Sequence, residues 1–279
     1  MNAATHDIAR PGTPAGASAA ADAAPHAGTH LLQAHGLSRS FGSVRAVDAV
    51  SLALRSGEVH GLIGPNGSGK TTFLNLLTGF YKPDQGRIEV DGHDLTAAPV
   101  QRRPLHGIAR TFQKPRLLGT LSVLDNAMLG GWEHTTAGFI ASALALPRAR
   151  REARATRDVA AEILHGVGLG HLLDRKANLL DHAEQRFLEI ARGLVMRPNF
   201  ILLDEPAGGL TEHEIEQLAG IVLTLRDSGV GVLVVEHHTD FVFRVCNRVT
   251  TLNLGKNIAH GTPDEVRHHP EVIRVYLGA

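Results

Sequence analysis

Apolar and polar positions divide the chain into short strands and longer helices. The runs AVSLAL at 49–54, VHGLIG at 59–64 and RIEV at 87–90 are short, apolar and separated by glycine-containing turns, which is typical of strands. Two later runs, FILLD at 200–204 and VGVLVVE at 230–236, are apolar up to their last residue. Continuous apolar runs of this length indicate strands that are buried in a parallel sheet.

Helical patterns lie between these strands. TTFLNLLTGF, which begins at Thr71, predicts a helix directly after the strand at 59–64. Another helix lies between the two buried strands, where Thr211 and Glu214 form a capping box at its start. Residues 120–196 are mostly helical in pattern. Strand–helix alternation around a helical insert predicts an α/β nucleotide-binding core with an added helical subdomain.

Composition narrows the class of protein. The 279 residues suffice for one large domain or two small ones, and 28 basic residues balance 28 acidic ones. Because no overall charge attracts nucleic acid, we expect no nucleic-acid partner. The single cysteine, Cys246, excludes an internal disulfide framework and fits a reducing compartment. No apolar run approaches the ~20 residues that cross a bilayer. We therefore predict a soluble chain of the cytoplasmic type.

The first 30 residues differ from the remainder. Residues 1–30 are dominated by Ala, Gly and Pro, and Ile8 is their only branched aliphatic side chain. Such a stretch cannot bury enough apolar surface to offset its ordering entropy, so we predict a disordered tail. A targeting sequence is the alternative, although Arg10 is the only arginine there. One domain is predicted at 31–279, with its helical subdomain at about 115–196.

A phosphate-binding loop follows the second predicted strand. GPNGSGKT at 64–71 fits G-x-x-x-x-G-K-[ST] and opens a predicted helix, which is the context that confirms this motif. Its backbone amides turn toward a polyphosphate, and the helix N-terminus adds positive charge. We expect Lys70 to reach the β- and γ-phosphates of ATP and the Thr71 hydroxyl to bind Mg²⁺. The predicted cofactor-binding residues of this loop are Gly64, Pro65, Asn66, Gly67, Ser68, Gly69, Lys70, Thr71 and Thr72.

Four polar residues predict the chemistry beside this loop. Asp204 ends the strand at 200–204, at the edge where ligands bind in open α/β sheets, and can hold Mg²⁺. Glu205 is the candidate to orient and polarise an attacking water. Gln113, just before the helical insert, can meet the metal or the water with its amide. His237, directly after the second buried strand, can contact the γ-phosphate and hold the water.

Five features in this order resemble the ATP-binding cassette (ABC) ATPases, from about Leu31 to the C-terminus. They are GPNGSGKT, Gln113, LLDHAEQR at 179–186, ILLDEP at 201–206 and His237. The resemblance implies a P-loop NTPase (RecA-like) core with an antiparallel β subdomain and an inserted α-helical subdomain. It also implies a head-to-tail dimer, in which each ATP lies between one chain's phosphate loop and the other chain's signature segment.

Two further positions follow from the same resemblance. Phe41 matches the aromatic residue that stacks on adenine. AGGL at 207–210 matches the loop that crosses the dimer interface. The family often has Asp after this loop, whereas this chain has Thr211 there.

Two longer stretches resemble the ATPases of branched-chain (hydrophobic) amino-acid importers. They are GLIGPNGSGKTTFLNLLTGFYKPDQGRI at 61–88 and IAHGTPDEVRHHPEVIRVYLG at 258–278. This resemblance implies a second ATPase subunit, usually a different chain, two transmembrane permease subunits and, indirectly, an extracytoplasmic solute-binding protein. The ATPase would lie at the cytoplasmic face of the membrane. Alternatives are a homodimeric ABC ATPase for urea, amide or lipopolysaccharide transport, and a cassette protein without transport.

The signature segment departs from the family pattern. That pattern reads L-S-G-G-Q or L-S-x-G-[EQ], and here the five places hold Leu180, Asp181, His182, Ala183 and Glu184. In a working signature the serine and nearby amides face the partner's γ-phosphate, so Asp181 would place a carboxylate near an anion. At ~4 Å and an effective dielectric near 20, two like charges repel by about 4 kcal/mol. Asp is also among the best helix caps, stabilising a helix by about 1 kcal/mol.

Two interpretations of Asp181 remain. In the first, this chain's own phosphate loop and Glu205 stay catalytic, while the site that it completes for a partner is weakened or only regulatory. In the second, the helix turns slightly, Asp181 points away and both sites are competent. The sequence is compatible with either.

Overall fold

The computed structural model describes residues 30–134 and 147–277, so the predicted tail up to residue 29 lies outside the described residues. His30, which we assigned to that tail, belongs to the fold. Its Nδ1 lies 2.7 Å from Asp91 Oδ2, and its backbone amide donates to Ser56 Oγ at 3.0 Å. The ordered fold therefore begins no later than His30.

The described residues contain ten strands and eight α-helices. The strands are β1 Leu31–Phe41, β2 Val44–Arg55, β3 Val59–Ile63, β4 Gln85–Val90, β5 His93–Asp94, β6 Ile108–Arg110, β7 Phe200–Asp204, β8 Gly231–Glu236, β9 Arg248–Asn253 and β10 Lys256–Gly261. The helices are α1 Lys70–Leu77, α2 Val123–Met128, α3 Pro147–Gly166, α4 His182–Val195, α5 Glu212–Asp227, α6 Thr239–Val245, α7 Pro263–Arg267 and α8 Pro270–Leu277.

A six-stranded sheet forms the centre of the molecule, in the order β10-β9-β3-β8-β7-β6. The pairs from β9 to β6 are all parallel, and only β10 runs antiparallel at the edge. Strands β3, β7 and β8 are buried along their whole length, as the continuous apolar runs of β7 and β8 predict. Because parallel strands end at one edge of a sheet, the residues after β3, β7 and β8 lie close together.

A four-stranded antiparallel sheet, in the order β2-β1-β4-β5, covers one side of this core. Helix α1 lies between the two sheets, and its buried side chains Phe73, Leu74, Leu76 and Leu77 share one hydrophobic cluster with residues of both. This confirms the predicted antiparallel subdomain. The arrangement fixes the start of α1, and therefore the phosphate loop, against β2 and β3.

Helices α2, α3 and α4 pack on one another beside the parallel sheet, in the region where the helical patterns predicted an insert. The buried side chain of Asn126 stabilises the entry to this region, because its Nδ2 donates to the Leu118 carbonyl at 3.0 Å and its Oδ1 accepts from the Leu118 amide at 2.8 Å. Asp181 and Thr211 each begin a helix with a capping box, as predicted for Thr211.

Replacing the fully buried Phe200 of β7 with Ala should lower the free energy of unfolding by about 3–5 kcal/mol, because the lost ring leaves a cavity between the sheets. Leu105→Ala is the control, since Leu105 is 67% exposed and its loss should cost less than about 0.5 kcal/mol. Urea unfolding of both variants measures the difference. Equal costs would contradict this assignment of the core.

Candidate nucleotide-binding site

The loop between β3 and α1 depends on glycines at defined positions. Gly64, Gly67 and Gly69 have φ angles of 153°, 79° and 104°, in the region that favours glycine. A Cβ on Gly64 would lie 2.3 Å from the Leu252 carbonyl oxygen and 2.5 Å from Ser68 Oγ. Gly64 is therefore required for space as well as for backbone conformation.

The groups that this loop presents fit a polyphosphate. Helix α1 begins after Gly69 without a side-chain cap from any described residue. The buried Ser68 Oγ has no hydrogen-bond partner among the described residues. The buried Lys70 Nζ donates to the carbonyl oxygens of Gly64 at 2.6 Å and Pro65 at 3.1 Å. Burial lowers the pKa of Lys70, and nearby carboxylates, Glu205 first among them, oppose this shift. Uncapped amides, a free hydroxyl and an ammonium suit an anionic ligand.

A cavity of about 300 Å³ opens beside the loop. It is lined by the loop from Asn66 to Thr72, by residues 44–46 of β2, by Glu205 and by the turn Leu254–Gly255 between β9 and β10. The Gly255 amide donates to the Ser68 carbonyl at 3.0 Å, which holds this turn against the loop. Sequence reasoning missed residues 44–46 and the turn, because only tertiary packing brings them to the phosphate loop.

Phe41 lies at the end of β1, where it pairs with Val44 at the rim of this cavity. Its ring packs edge-to-face against Tyr81, with 5.3 Å between the centroids, and the Arg39 guanidinium lies 5.2 Å from its centroid. Phe41 is partly exposed and is not among the described residues that line the cavity. Its contact with adenine stays a prediction.

Asp204 ends β7 at the predicted edge of the sheet and pairs with an arginine. Arg110 Nη2 donates to Asp204 Oδ2 at 2.9 Å, and both side chains are buried. Burial raises the pKa of Asp204, and the Arg110 hydrogen bond opposes this shift. Sequence reasoning missed Arg110, although a charged residue that ends an apolar strand is a signal that could have identified it.

The three predicted catalytic residues meet at Glu205. Gln113 Nε2 donates to Glu205 Oε2 at 2.7 Å, and His237 Nδ1 lies 3.8 Å from Glu205 Oε1. Glu205 has a φ of 47°, which is strained for a residue with a side chain. Strain of this kind is concentrated at functional sites, where the surrounding structure maintains it. The structure therefore brings together side chains that are far apart in the sequence.

Glu236 is a second residue that sequence reasoning missed. It is the last residue of β8 and is fully buried. Its Oε1 accepts from the Ala207 amide at 2.7 Å, and its Oε2 accepts from the His237 amide at 3.0 Å. Glu236 thus fixes both the start of the 207–210 loop and the backbone of His237. The sequence signal that could have identified Glu236 is that it is the only charged residue in the apolar run at 230–236.

The signature segment exposes two of its five side chains. Leu180 and Ala183 are buried and Glu184 is half-buried, which leaves Asp181 and His182 exposed. Asp181 Oδ1 accepts from the Glu184 amide at 2.8 Å, and Glu184 Oε2 accepts from the Asp181 amide at 2.9 Å. The Asp181 carboxylate therefore accepts a hydrogen bond from an amide at the start of the helix, where such amides can otherwise bind an anion.

The signature segment also contacts the 207–210 loop of the same chain. His182 Nε2 lies 3.1 Å from the Gly208 carbonyl oxygen. The residue after that loop, Thr211, accepts from the Glu214 amide at 3.4 Å and caps α5. Its hydroxyl is thus engaged within its own chain.

The comparisons with known proteins agree with this geometry. Residues 47–208 match the model of the ABC transporter family, and residues 256–279 match a model described as branched-chain amino acid ATP-binding cassette transporter. The chain belongs to the ABC transporter family, and it is an ATPase of that family. In fold it is similar to the crystal structure of MJ1267, an ATP-binding cassette of an ABC transporter, in its ADP conformation. The TM-score is 0.78 at 32% identity, over 90% of this chain and 99% of that one.

Two relatives illustrate the range of proteins that it resembles. It is 40% identical over 249 residues to the high-affinity branched-chain amino acid transport ATP-binding protein LivG of Salmonella typhimurium. The aligned residues are 89% of this chain and 98% of LivG. It is 37% identical over 247 residues to the lipopolysaccharide export system ATP-binding protein LptB of Escherichia coli. The aligned residues are 88% of this chain and 97% of LptB. Within residues 30–134 and 147–277, no helix has the length and apolar character of a membrane span.

Gly64→Ala should abolish ATP binding and lower the free energy of unfolding by about 1–3 kcal/mol, because its Cβ would collide with backbone and with Ser68. Gly229→Ala is the matched control, with a φ of 89° but no atom within 4 Å of the added Cβ. It should cost about 1 kcal/mol and leave ATP affinity unchanged. Equilibrium ATP binding and urea unfolding test both variants. Normal ATP binding by Gly64→Ala would contradict the role assigned to the loop.

Glu205→Asn and Glu205→Gln should both reduce hydrolysis by the assembled complex about 10²–10⁴-fold, because both lose the carboxylate. Asn tolerates left-handed backbone better than Gln, so Glu205→Asn should be the more stable of the two by about 1 kcal/mol. Steady-state hydrolysis and urea unfolding measure the two effects separately. Equal stabilities would show that the backbone at residue 205 stores no strain.

Proposed function

We propose that this chain is the ATP-hydrolysing subunit of an importer that moves branched-chain or other hydrophobic amino acids across the cell membrane. The observation that carries this proposal is the match of residues 256–279 to the model of branched-chain amino acid cassettes. The match over 47–208 is to the ABC transporter family in general and does not select a solute. The identity of 40% with LivG, a branched-chain amino acid transport protein, supports the same choice.

The geometry suits Mg-ATP as the bound cofactor. Lys70 and the loop amides would hold the β- and γ-phosphates, in the place where Lys70 now donates to loop carbonyls. Thr71, Asp204 and Gln113 offer the oxygen ligands that Mg²⁺ prefers. Bound there, Mg²⁺ would neutralise charge on the phosphate oxygens. Phe41 would stack on adenine.

In the proposed reaction, water attacks the γ-phosphorus, the bond to the β–γ bridging oxygen breaks, and ADP and phosphate leave. Glu205 would orient and polarise the water, because its carboxylate is held by Gln113 and faces His237. His237 would contact the γ-phosphate and keep the water in line. Glu236 would hold the His237 backbone through the hydrogen bond from the His237 amide.

We propose that the chain works in a dimer with a second, different ATPase subunit. Two permease subunits and an extracytoplasmic binding protein would complete the transporter, which would place this chain at the cytoplasmic face of the membrane. In such a dimer the exposed Asp181 and His182 face the partner's ATP. Because the Asp181 carboxylate carries negative charge there, the site that this chain completes would be weakened or regulatory.

A homodimeric ATPase for lipopolysaccharide transport is the second candidate, favoured by the 37% identity with LptB. Uptake of labelled leucine separates the two. A strain that lacks this chain should lose uptake, regain it with the wild-type chain and fail to regain it with Glu205→Gln. Unchanged leucine uptake with altered surface lipopolysaccharide would favour the second candidate.

Asp181→Ser should raise ATP hydrolysis by the full complex at least about tenfold, because it removes a carboxylate near the partner's γ-phosphate. Asp181→Asn is the matched control, since Asn caps helices as well as Asp and carries no charge. Asp181→Asn should give part of the increase in ATP hydrolysis. No increase with either variant would mean that Asp181 points away from the nucleotide.

A further inference from the structure

Helix α4 presents one row of charged side chains to the segment that carries Gln113. Arg186, Glu189 and Arg192 recur every three residues, which places them along one face of the helix. All three contact backbone atoms of residues 112–116. The proposed reaction assigns none of them a role.

Arg186 holds the backbone of Gln113 by hydrogen bonds to two consecutive carbonyl oxygens. The Arg186 Nη1 donates to the carbonyl oxygen of Phe112 at 3.0 Å and to that of Gln113 at 2.9 Å. The residue is only 2% exposed. The Gln113 side chain extends from this held backbone to Glu205, with 2.7 Å between Nε2 and Oε2.

Glu189 and Arg192 hold the same segment three residues further on. Arg192 Nη1 donates to the Arg116 carbonyl oxygen at 2.5 Å, and the Arg116 amide lies 3.4 Å from Glu189 Oε1. Arg192 Nη2 lies 3.6 Å from the same Glu189 oxygen. These two side chains hold residue 116, and Glu189 also accepts a hydrogen bond from the Phe112 amide, which leaves the Gln113 carbonyl to Arg186.

Burying charged side chains between a helix and its neighbour costs desolvation free energy. Burial penalises a charged group heavily, and apolar residues of similar size often give equal or greater stability. A guanidinium differs from an apolar side chain in fixing its acceptors in a defined plane. The presence of Arg186 here therefore indicates a requirement for position rather than for stability.

We propose that Arg186 is a positioning residue of this chain's own ATP site, which holds the Gln113 backbone so that the Gln113 amide stays between Glu205 and the Mg²⁺ position. The proposal rests on the proposed function. Helix α4 begins next to Asp181, so the same helix connects the surface that faces the partner's ATP with Gln113. A shift of α4 would thus reach both nucleotide sites.

A double-mutant cycle separates this role from a purely structural one. The variants are Arg186→Lys, Gln113→Ala and their combination in the full-length chain. Lys keeps the charge but not the planar set of donors. Arg192→Lys is the matched control, because Arg192 lies on the same helix and holds the same segment without contacting Gln113. The readouts are the Mg²⁺ concentration that gives half-maximal enhancement of ATP binding, and the thermal midpoint of unfolding.

Arg186→Lys should raise the half-maximal Mg²⁺ concentration about tenfold in the wild-type background, the size expected for one charged hydrogen bond. In the Gln113→Ala background it should change this concentration by less than about twofold, because Arg186 acts through Gln113. Arg192→Lys should leave the concentration near the wild-type value.

Equal shifts in both backgrounds, or no shift in either, would overturn the proposal and leave Arg186 a structural residue. A shift with Arg192→Lys as large as that with Arg186→Lys would overturn it too. A wild-type chain that binds no ATP at any Mg²⁺ concentration would overturn the proposed function itself. The pattern among the variants thus distinguishes the two failures.

Discussion

The parallel pairing of β3, β8 and β7 is the constraint on which the rest of the site depends. In this register Ile63 pairs with Glu236 and Asp204 with Val235, so the three strands end at one level. The phosphate loop, the carboxylates and His237 leave the sheet from those ends. Each strand is five or six residues long and buried along its whole length, which maintains the register, and each ends in the loop or side chain that carries the chemistry.

Charge at this edge is tolerated because nearly every buried ion has a partner. Asp204 pairs with Arg110, Glu236 accepts hydrogen bonds from the Ala207 and His237 amides, and Lys70 donates to carbonyl oxygens of its own loop. Such a network is stable only when it is complete, since one missing partner leaves a charge unpaired at low dielectric. The strained backbone of Glu205 is carried by the same surroundings. The site therefore combines rigid placement with a stability cost that the apolar core offsets.

Local signals in the sequence predicted the parts of the site that local structure decides. The strand at 200–204 has the predicted bounds, the phosphate loop joins a strand to a helix as expected, and Gln113, Glu205 and His237 meet. Residues 44–46, the Leu254–Gly255 turn and Arg186 escaped prediction because their roles arise from packing between distant segments. Asp181 shows the limit most clearly. Its capping box is a local property and is present, whereas its effect on a nucleotide depends on a second chain.

We propose that this chain carries a complete phosphate-binding half-site and hydrolyses ATP only with the signature segment of another chain. The most direct measurement is steady-state Mg-ATP hydrolysis by the purified chain alone, over a wide range of protein concentration, with ATP binding measured in parallel. We expect ATP binding without hydrolysis at every protein concentration, because two copies would present Asp181 to each other's ATP. A specific activity that climbs with protein concentration would contradict it, since identical chains would then form a working dimer.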